Sequence, residues 1–228
     1  HTGYYLARGI MPINLNLASD EPLWLEKEQS IDITATDVRL DMVSLLLKDV
    51  EQLTGDFRAD FRLSGTPVKP RIDGKVMIQK GRLKLFDLVD PIENIDMRMS
   101  MKDRVITIDS VTGICRGSKK KPGLVSGGGT IVINAIDQFD YNVRLKANNF
   151  PVVYELGDIN AVVVADLQVR GMTPPTVSGN VTLQSAVYRE NFARENEGWM
   201  MLTSLQGDQT WDLDLDVDVS SNLWIKND

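Results

Sequence analysis

An all-β fold, one long curled antiparallel sheet with a single short helix, is predicted by three features of this sequence. Apolar residues recur at every second position through most of the chain. Side chains alternate faces along a strand, so each such segment carries one apolar and one polar face. The segments, roughly a dozen, are separated by Gly, Pro, Asn and Asp turn chemistry. Finally, the stretch from Leu63 to Leu83 recurs: Pro70, Ile72, Gly74, Val76, Ile78 and Gln79 superpose on Pro175, Val177, Gly179, Val181, Leu183 and Gln184, each pair 105 positions apart, while Gly65 and Gly171 stand 106 apart. One residue of slippage therefore belongs to the Pro-containing turn. A closed barrel and a two-sheet sandwich remain alternatives for so much strand, but each closes once and has no reason to restart its motif, so the repeat favours a sheet curled along its length.

Taken in order, Tyr4, Tyr5 and Leu6 precede the alternating Ile13 to Leu17, which Ser19-Asp-Glu-Pro22 closes, and Ile31 to Ala35 alternates again after Trp24. Leu40 to Val50 is the one helical candidate: Met42, Val43, Leu45, Leu46 and Leu47 form an apolar stripe and Gly55 stops it. So short a helix needs its leucines packed on something. From Asp56 the period is two. Phe57, Ala59, Phe61 and Leu63 alternate with charged residues, and Ile95, Met97, Met99 and Met101 alternate with Asp96, Arg98 and Ser100. Ile106 and Ile108 follow the turn at Lys102-Asp103, and Ile131 to Ala135, Tyr141 to Ala147 and Ala161 to Val169 come next. Leu213, Leu215, Val217 and Val219, spaced by Asp212, Asp214, Asp216 and Asp218, end the series.

Composition excludes several classes of function. A net charge of -7 and a pI near 4.8 oppose a nucleic-acid partner, which leaves a basic footprint. The only lysine run, Lys119 to Lys121, reads as a solvated loop. One cysteine, Cys115, excludes an internal disulfide and leaves the redox compartment open. No apolar run approaches the ~20 residues of a membrane-spanning helix. The sole histidine is His1, so no Ser-His-Asp or Cys-His arrangement is available, and the chain is read as no enzyme, with no catalytic residues and no cofactor. The aspartate row is not a metal site: successive carboxylates on one strand face lie ~7 Å apart, too far to share an ion. A solvated polar face that discourages edge-to-edge pairing is the simpler reading. Gly127 to Gly129 lack the Lys-Ser/Thr of a phosphate loop and more simply relax the sterics of a bend or bulge.

The series Asp49 to Gly55, Phe57 to Pro67 and Pro70 to Gly74 with Gly81 following, then Val125 to Ile131, Gly171 to Gly179 and Trp211 to Val219, resembles the TamB family of AsmA-like proteins over roughly Ser30 to the C-terminus. Its second copy departs in having Met172-Thr-Pro-Pro175 where Gly-Thr-x-x-x-Pro is more typical. The resemblance implies a gutter-shaped sheet, apolar on its concave face, in the periplasm between an inner-membrane anchor and the outer membrane, or between the membranes of a chloroplast envelope. It implies a BamA-like outer-membrane barrel as partner and phospholipid transport or outer-membrane protein assembly as the task. In these terms residues 1–29 are N-terminal strands of a preceding repeat, 30–160 a first β-groove repeat with the helix at 40–50, and 161–228 a second, incomplete repeat. The abrupt start at His1-Thr-Gly and the unfinished pattern at Trp224-Ile-Lys suggest an excised piece whose anchor lies elsewhere.

Alternation by itself fits an ordinary sandwich core as well as a groove; the resemblance favours the groove. Residues of shared parity expected to line it and contact phospholipid acyl chains are Phe57, Phe61, Leu63, Val76, Ile78, Met97, Met99, Met101, Ile106, Ile108, Ile131, Ile133, Val143, Leu145, Val181, Leu183, Leu213, Leu215 and Val217. The three methionines would give a soft, adaptable wall. The alternative to a lipid conduit is a chaperone-like scaffold offering a sheet edge to client β-strands of outer-membrane proteins. A structural spacer across the envelope is the third reading.

Overall fold

The computed structural model describes residues 3–14, 25–40, 50–86, 88–117, 121–135, 137–154, 159–190, 211–220 and 222–227. The strands are β1 (Tyr4–Ile10), β2 (Gln29–Arg39), β3 (Val50–Thr66), β4 (Lys69–Leu85), β5 (Ile92–Lys102), β6 (Val105–Cys115), β7 (Gly123–Ala135), β8 (Gln138–Tyr154), β9 (Ile159–Met172), β10 (Thr176–Glu190), β11 (Asp212–Val219) and β12 (Leu223–Asn227). All twelve belong to one sheet, ordered β1 to β11 along the chain, with β12 also beside β10. The sheet does not close into a barrel, and no second layer of strands lies among the described residues.

From β1 to β10 each strand pairs antiparallel with the next. The last two strands depart from the expected antiparallel order. β11 runs parallel to β10 along Thr176–Leu183, and β12 runs parallel to it along Ala186–Glu190, so together they form one interrupted edge. A parallel partner needs a crossover of a dozen residues or so, a length the segment between Glu190 and Asp212 supplies.

No helix lies among the described residues. The helix expected over 40–50 falls, for residues 41–49, outside them; Leu40 is in a turn and Val50 already opens β3. Gly55, expected to stop that helix, is instead a strand residue whose backbone faces Gly81 of β4. The stretch ahead of it is held as strand by ladder pairing, Val50 with Leu85 and Leu53 with Leu83.

The sheet is curled. Cα atoms of β4 and β7 come within 8 Å of each other, whereas three strand spacings in a flat sheet would separate them by ~14 Å. Register shifts interrupt β2 between Ala35 and Val38, β4 between Ile78 and Gly81, β5 between Glu93 and Asp96, β8 between Ala147 and Phe150, and β10 between Leu183 and Ser185. Asp37, Lys80, Asn94 and Asn149, all with positive φ, sit at four of these shifts. Bulges bend a strand and increase its twist, so a band of them toward one end of the strands folds that end of the sheet. The loop after β4 reaches over the same end, where the Val89 amide donates to the Val153 carbonyl 3.1 Å away.

The repeated stretches occupy equivalent places. Gly74 faces Phe61 in the β3–β4 hairpin, and Gly179 faces Leu167 in the β9–β10 hairpin. Gly65 faces Pro70, with Thr66 to Lys69 between them; Gly171 and Pro175 are separated by Met172 to Pro174. The missing residue is thus in the Pro-containing turn, as the spacing predicts. The departing Met172-Thr-Pro-Pro175 turn contains a cis Thr173–Pro174 peptide.

One face of the sheet carries cross-strand ion pairs: Arg62 with Asp32 (2.5 Å), Arg58 with Asp37 (2.6 Å), Arg71 with Asp103 (3.3 Å), Arg116 with Glu93 (3.1 Å), and Arg144 with Asp166 through both guanidinium branches (2.7 and 2.6 Å). Exposed pairs of this kind each contribute little. The Arg144 guanidinium, by hydrogen bonding, holds the Asp166 carboxyl below its ordinary value of 3.8. A depressed carboxylate contributes stability above its unfolded value, and that contribution is lost as pH falls through the folded one. In Arg144→Gln, the Asp166 carboxyl resonance followed by NMR is therefore expected to titrate at higher pH than in the parent.

Candidate functional site: a one-sided apolar face

Residues that face each other across neighbouring strands point to the same side of a sheet, so the registers define rows. One row runs Ala35, Ala59, Val76, Met99, Ile108, Gly129, Val143, Val169, Val177, Leu213. Beside it runs Val38, Phe57, Ile78, Met97, Val111, Gly127, Leu145, Leu167, Gly179, Leu215. On the other side lie Ile33, Phe61, Gly74, Met101, Ile106, Ile131, Tyr141 and Gly171. Leu63 faces Ile72, Ile133 faces Phe139, Val181 faces Val217, and Leu183 faces Val219, extending the same side. All nineteen expected lining residues therefore fall on one face, in rows that cross the sheet strand by strand.

Burial along this face is graded. Ala35, Val38, Ala59 and Val76 form a packed cluster, with Phe57, Phe61, Met99 and Met101 against it. Ile133 and Val143 are also buried. Phe57, Phe61, Leu63, Ile78, Met97, Met99, Met101, Ile106, Ile108, Ile131, Val181 and Leu183 are half-buried. Leu145 is 40 % exposed, and Leu213, Leu215 and Val217 on β11 are 60, 37 and 56 % exposed, so the face opens toward the C-terminal edge. Side chains converge on this face: a Cβ at Gly113, which faces Val125, would meet side-chain carbons of Ile92, Val125 and Ile95 at 2.7, 3.1 and 3.4 Å. Gly127 to Gly129 lie within β7, opposite the register shift of β6 between Ile108 and Val111, which agrees with their reading as a relief of bulge sterics.

Several members of the face lie outside the expected lining set. Ala35, Ala59, Ala147 and Ala165 are small, and Val38 and Val111 lie beyond bulges. The signal for the last two is a spacing of three in place of two, from Ala35 to Val38 and from Ile108 to Val111. Gln29 is buried on this side beside Gly65 and Pro70, with no hydrogen-bond partner for its carboxamide among the described residues. At the folded end, Cys115 is fully buried; burial, then the charge of Asp90, pushes its thiol up to about 11, so it is no nucleophile at neutral pH. Among the described residues no group of His, Cys, Asp and Glu has the arrangement of a metal site.

An open sheet with one apolar and one ion-paired face is the architecture expected of the envelope family resembled above. The family model of the TamB C-terminal domain matches residues 115–199. Over those residues the chain is similar to the TamB C-terminal domain. The match spans β7, β8, β9 and β10, which carry the second copy of the repeated hairpin. TamB belongs to the translocation and assembly module of the cell envelope, a periplasmic, envelope-spanning system that acts with an outer-membrane partner and is of transport type rather than enzymatic. No curated protein and no solved structure matches the chain. No helix among the described residues is long and apolar enough to cross a membrane.

Proposed function

We propose that this chain carries phospholipid acyl chains along its apolar face, as one segment of a conduit across the periplasm between inner and outer membranes, in support of outer-membrane assembly. The observation that supports this is the continuity of the apolar rows across the sheet with no second layer over them among the described residues. A face of that extent on a protein in water marks an interaction site. Acyl chains suit it because each buried CH₂ contributes about 0.8 kcal/mol and needs no directional partner. The recurring hairpin fits repeat units at 30–160 and 161–228, through which the face is handed from one unit to the next. Anchoring in the inner membrane and a BamA-like outer-membrane barrel as partner complete the reading.

Organic extracts of the purified chain, analysed by mass spectrometry beside an unrelated β-sandwich prepared identically, test it. Phospholipid well above the control is expected. Leu145 and Leu215 are the cleanest probes, since both are exposed on the face and outside the packed cluster. Leu145→Asp with Leu215→Asp is expected to lower bound phospholipid at least tenfold, the equivalent of about 1.4 kcal/mol, in a protein that keeps its strand content. Extracts of folded protein with no phospholipid above the control would sink the proposal.

A further inference from the structure

We infer that a phospholipid lies lengthwise along the strands of this face, its acyl chains toward the folded end and its phosphate-bearing headgroup at the turn end. This rests on the conduit reading and adds an orientation to it. The folded end is sealed. Besides the Val89–Val153 hydrogen bond that joins the loop after β4 to β8, a Cβ at Gly117, just past β6, would meet the Pro151 ring of β8 at 2.8 Å. The Lys84 ammonium holds that loop, donating to the Leu85 carbonyl (3.2 Å) and the Leu88 carbonyl while pairing with Glu51 at 3.2 Å. Inside the seal, Leu83, Ile92, Cys115 and Gly123 face one another in turn, and the Phe150 backbone passes close to Gly123. Cys115 has no exposed surface, and Phe150 is buried. One row further along, a Cβ at Gly81 would collide with Ile95 at 2.9 Å, so this end is filled by the protein's own side chains.

The turn end is open. Among the described residues its hydrogen bonds link only elements adjacent in the sheet, as from the Ile72 amide to the Asp103 carbonyl, Ile133 to Arg104 and Thr173 to Phe139. Leu63, Met101, Ile106 and Ile131 are half-buried there. From Met101 to Ile95, β5 runs ~20 Å, enough for the ~15 Å of hydrocarbon in one membrane leaflet. Polar groups gather where the headgroup would sit. The hairpin ends of β3–β4 and β5–β6 carry Lys69, Arg71, Lys102 and Arg104 against Asp73 and Asp103, a cationic excess in a chain of net charge -7. The next hairpin carries Asp137 and Asp140 instead, which confines the excess to β3–β6. Gln29, the only buried polar side chain among the described residues, opens β2 at this same end and on the apolar side, its carboxamide without a partner among them. A glycerol ester offers that amide an acceptor, and the phosphate meets the cations. Turned round, the same lipid would press its phosphate against a packed apolar end. Side by side in this orientation, lipids move from strand to strand as in a leaflet, with no headgroup crossing the apolar face.

Two phosphatidylcholines test the orientation, one with a nitroxide on the headgroup and one with a nitroxide at the end of an acyl chain. Each is loaded into the isotope-labelled chain, bound lipid is counted by mass spectrometry, and amide broadening is read by NMR. The headgroup label is expected to broaden Gly65, Val68 and Asp103 and to spare Ile95, Gly113 and Val125. The chain-end label is expected to do the reverse. Lys69→Glu with Lys102→Glu, both at exposed positions, is expected to lower bound phosphatidylglycerol about threefold, the scale of two exposed charge contacts, at an unchanged denaturant midpoint. Gln29→Leu is expected to lower bound lipid while the lipid-free protein loses no stability, since its carboxamide has no partner there to lose. Bound lipid with the reversed pattern, or with one pattern for both labels, overturns the inference and leaves the conduit standing. Occupancy unmoved by either variant overturns it as well. A folded chain that takes up neither lipid overturns both.

Discussion

Gly74→Ala and Gly179→Ala are each expected to destabilise the chain by about 3 kcal/mol or more, read as a fall in the denaturant midpoint at unchanged slope. Both glycines have φ in the region that L side chains avoid, 149° and 136°. A Cβ at Gly74 would land on the Asp60 carbonyl oxygen and against the Cα and Cβ of Phe61 at 2.5 Å, and one at Gly179 would land on the Asp166 carbonyl oxygen. Strained backbone of this kind costs on the order of 1–3 kcal/mol, and the collision with a paired strand adds to it, because the obstacle is main chain that cannot rotate aside. Gly171→Ala is the internal comparison: its φ is also positive, but no atom lies within 4 Å of its Cβ position, so it should carry the conformational cost alone. Equal losses at Gly171 and Gly179 would show that close approach of the strands contributes nothing.

Val76→Asp is expected to destabilise by about 4 kcal/mol or more and to broaden amide resonances across β2 to β5, in contrast to the tolerated Leu145→Asp. Val76 is 7 % exposed and faces Ala59 and Met99 in the packed part of the apolar face. Removing its side chain forfeits roughly 1.5–3 kcal/mol of burial, and a carboxylate placed there must be desolvated or neutralised. The two substitutions introduce the same group on the same face, and only the local packing differs. If Val76→Asp leaves the midpoint unmoved, the centre of the face is as open as its C-terminal end and the burial gradient is not a property of the protein in solution.

Strand identity and facing were legible where alternation is strong. Phe57 to Leu63 and Ile95 to Met101 need no tertiary information, since each places its apolar residues on one side by parity alone. The slip between the repeats was legible for the same reason, as a one-residue change inside a turn cannot disturb parity within a strand. What could not be read has physical causes. A bulge replaces a spacing of two by three without any change of composition, so Asp37, Lys80, Asn94 and Asn149 carry no obvious mark. Parallel and antiparallel partners present the same alternation, which hid the reversal at β11. Gly55 suits a helix end as well as a crossing point with Gly81. The continuity of the face across strands is a property of register, which no single segment contains.

The order of the strands has a consequence for how the chain assembles. From β1 to β10 every strand pairs with the one made just before it, so the sheet can grow in the direction in which the polypeptide is made. Each addition pairs its backbone with the strand before it at once, leaving the outer side of β1 and the newest strand as the two unpaired edges. Only β11 and β12 must wait, following a long connection to lie parallel to β10. Vectorial growth along the body of the sheet and a slow final step at its end are thus built into the connectivity.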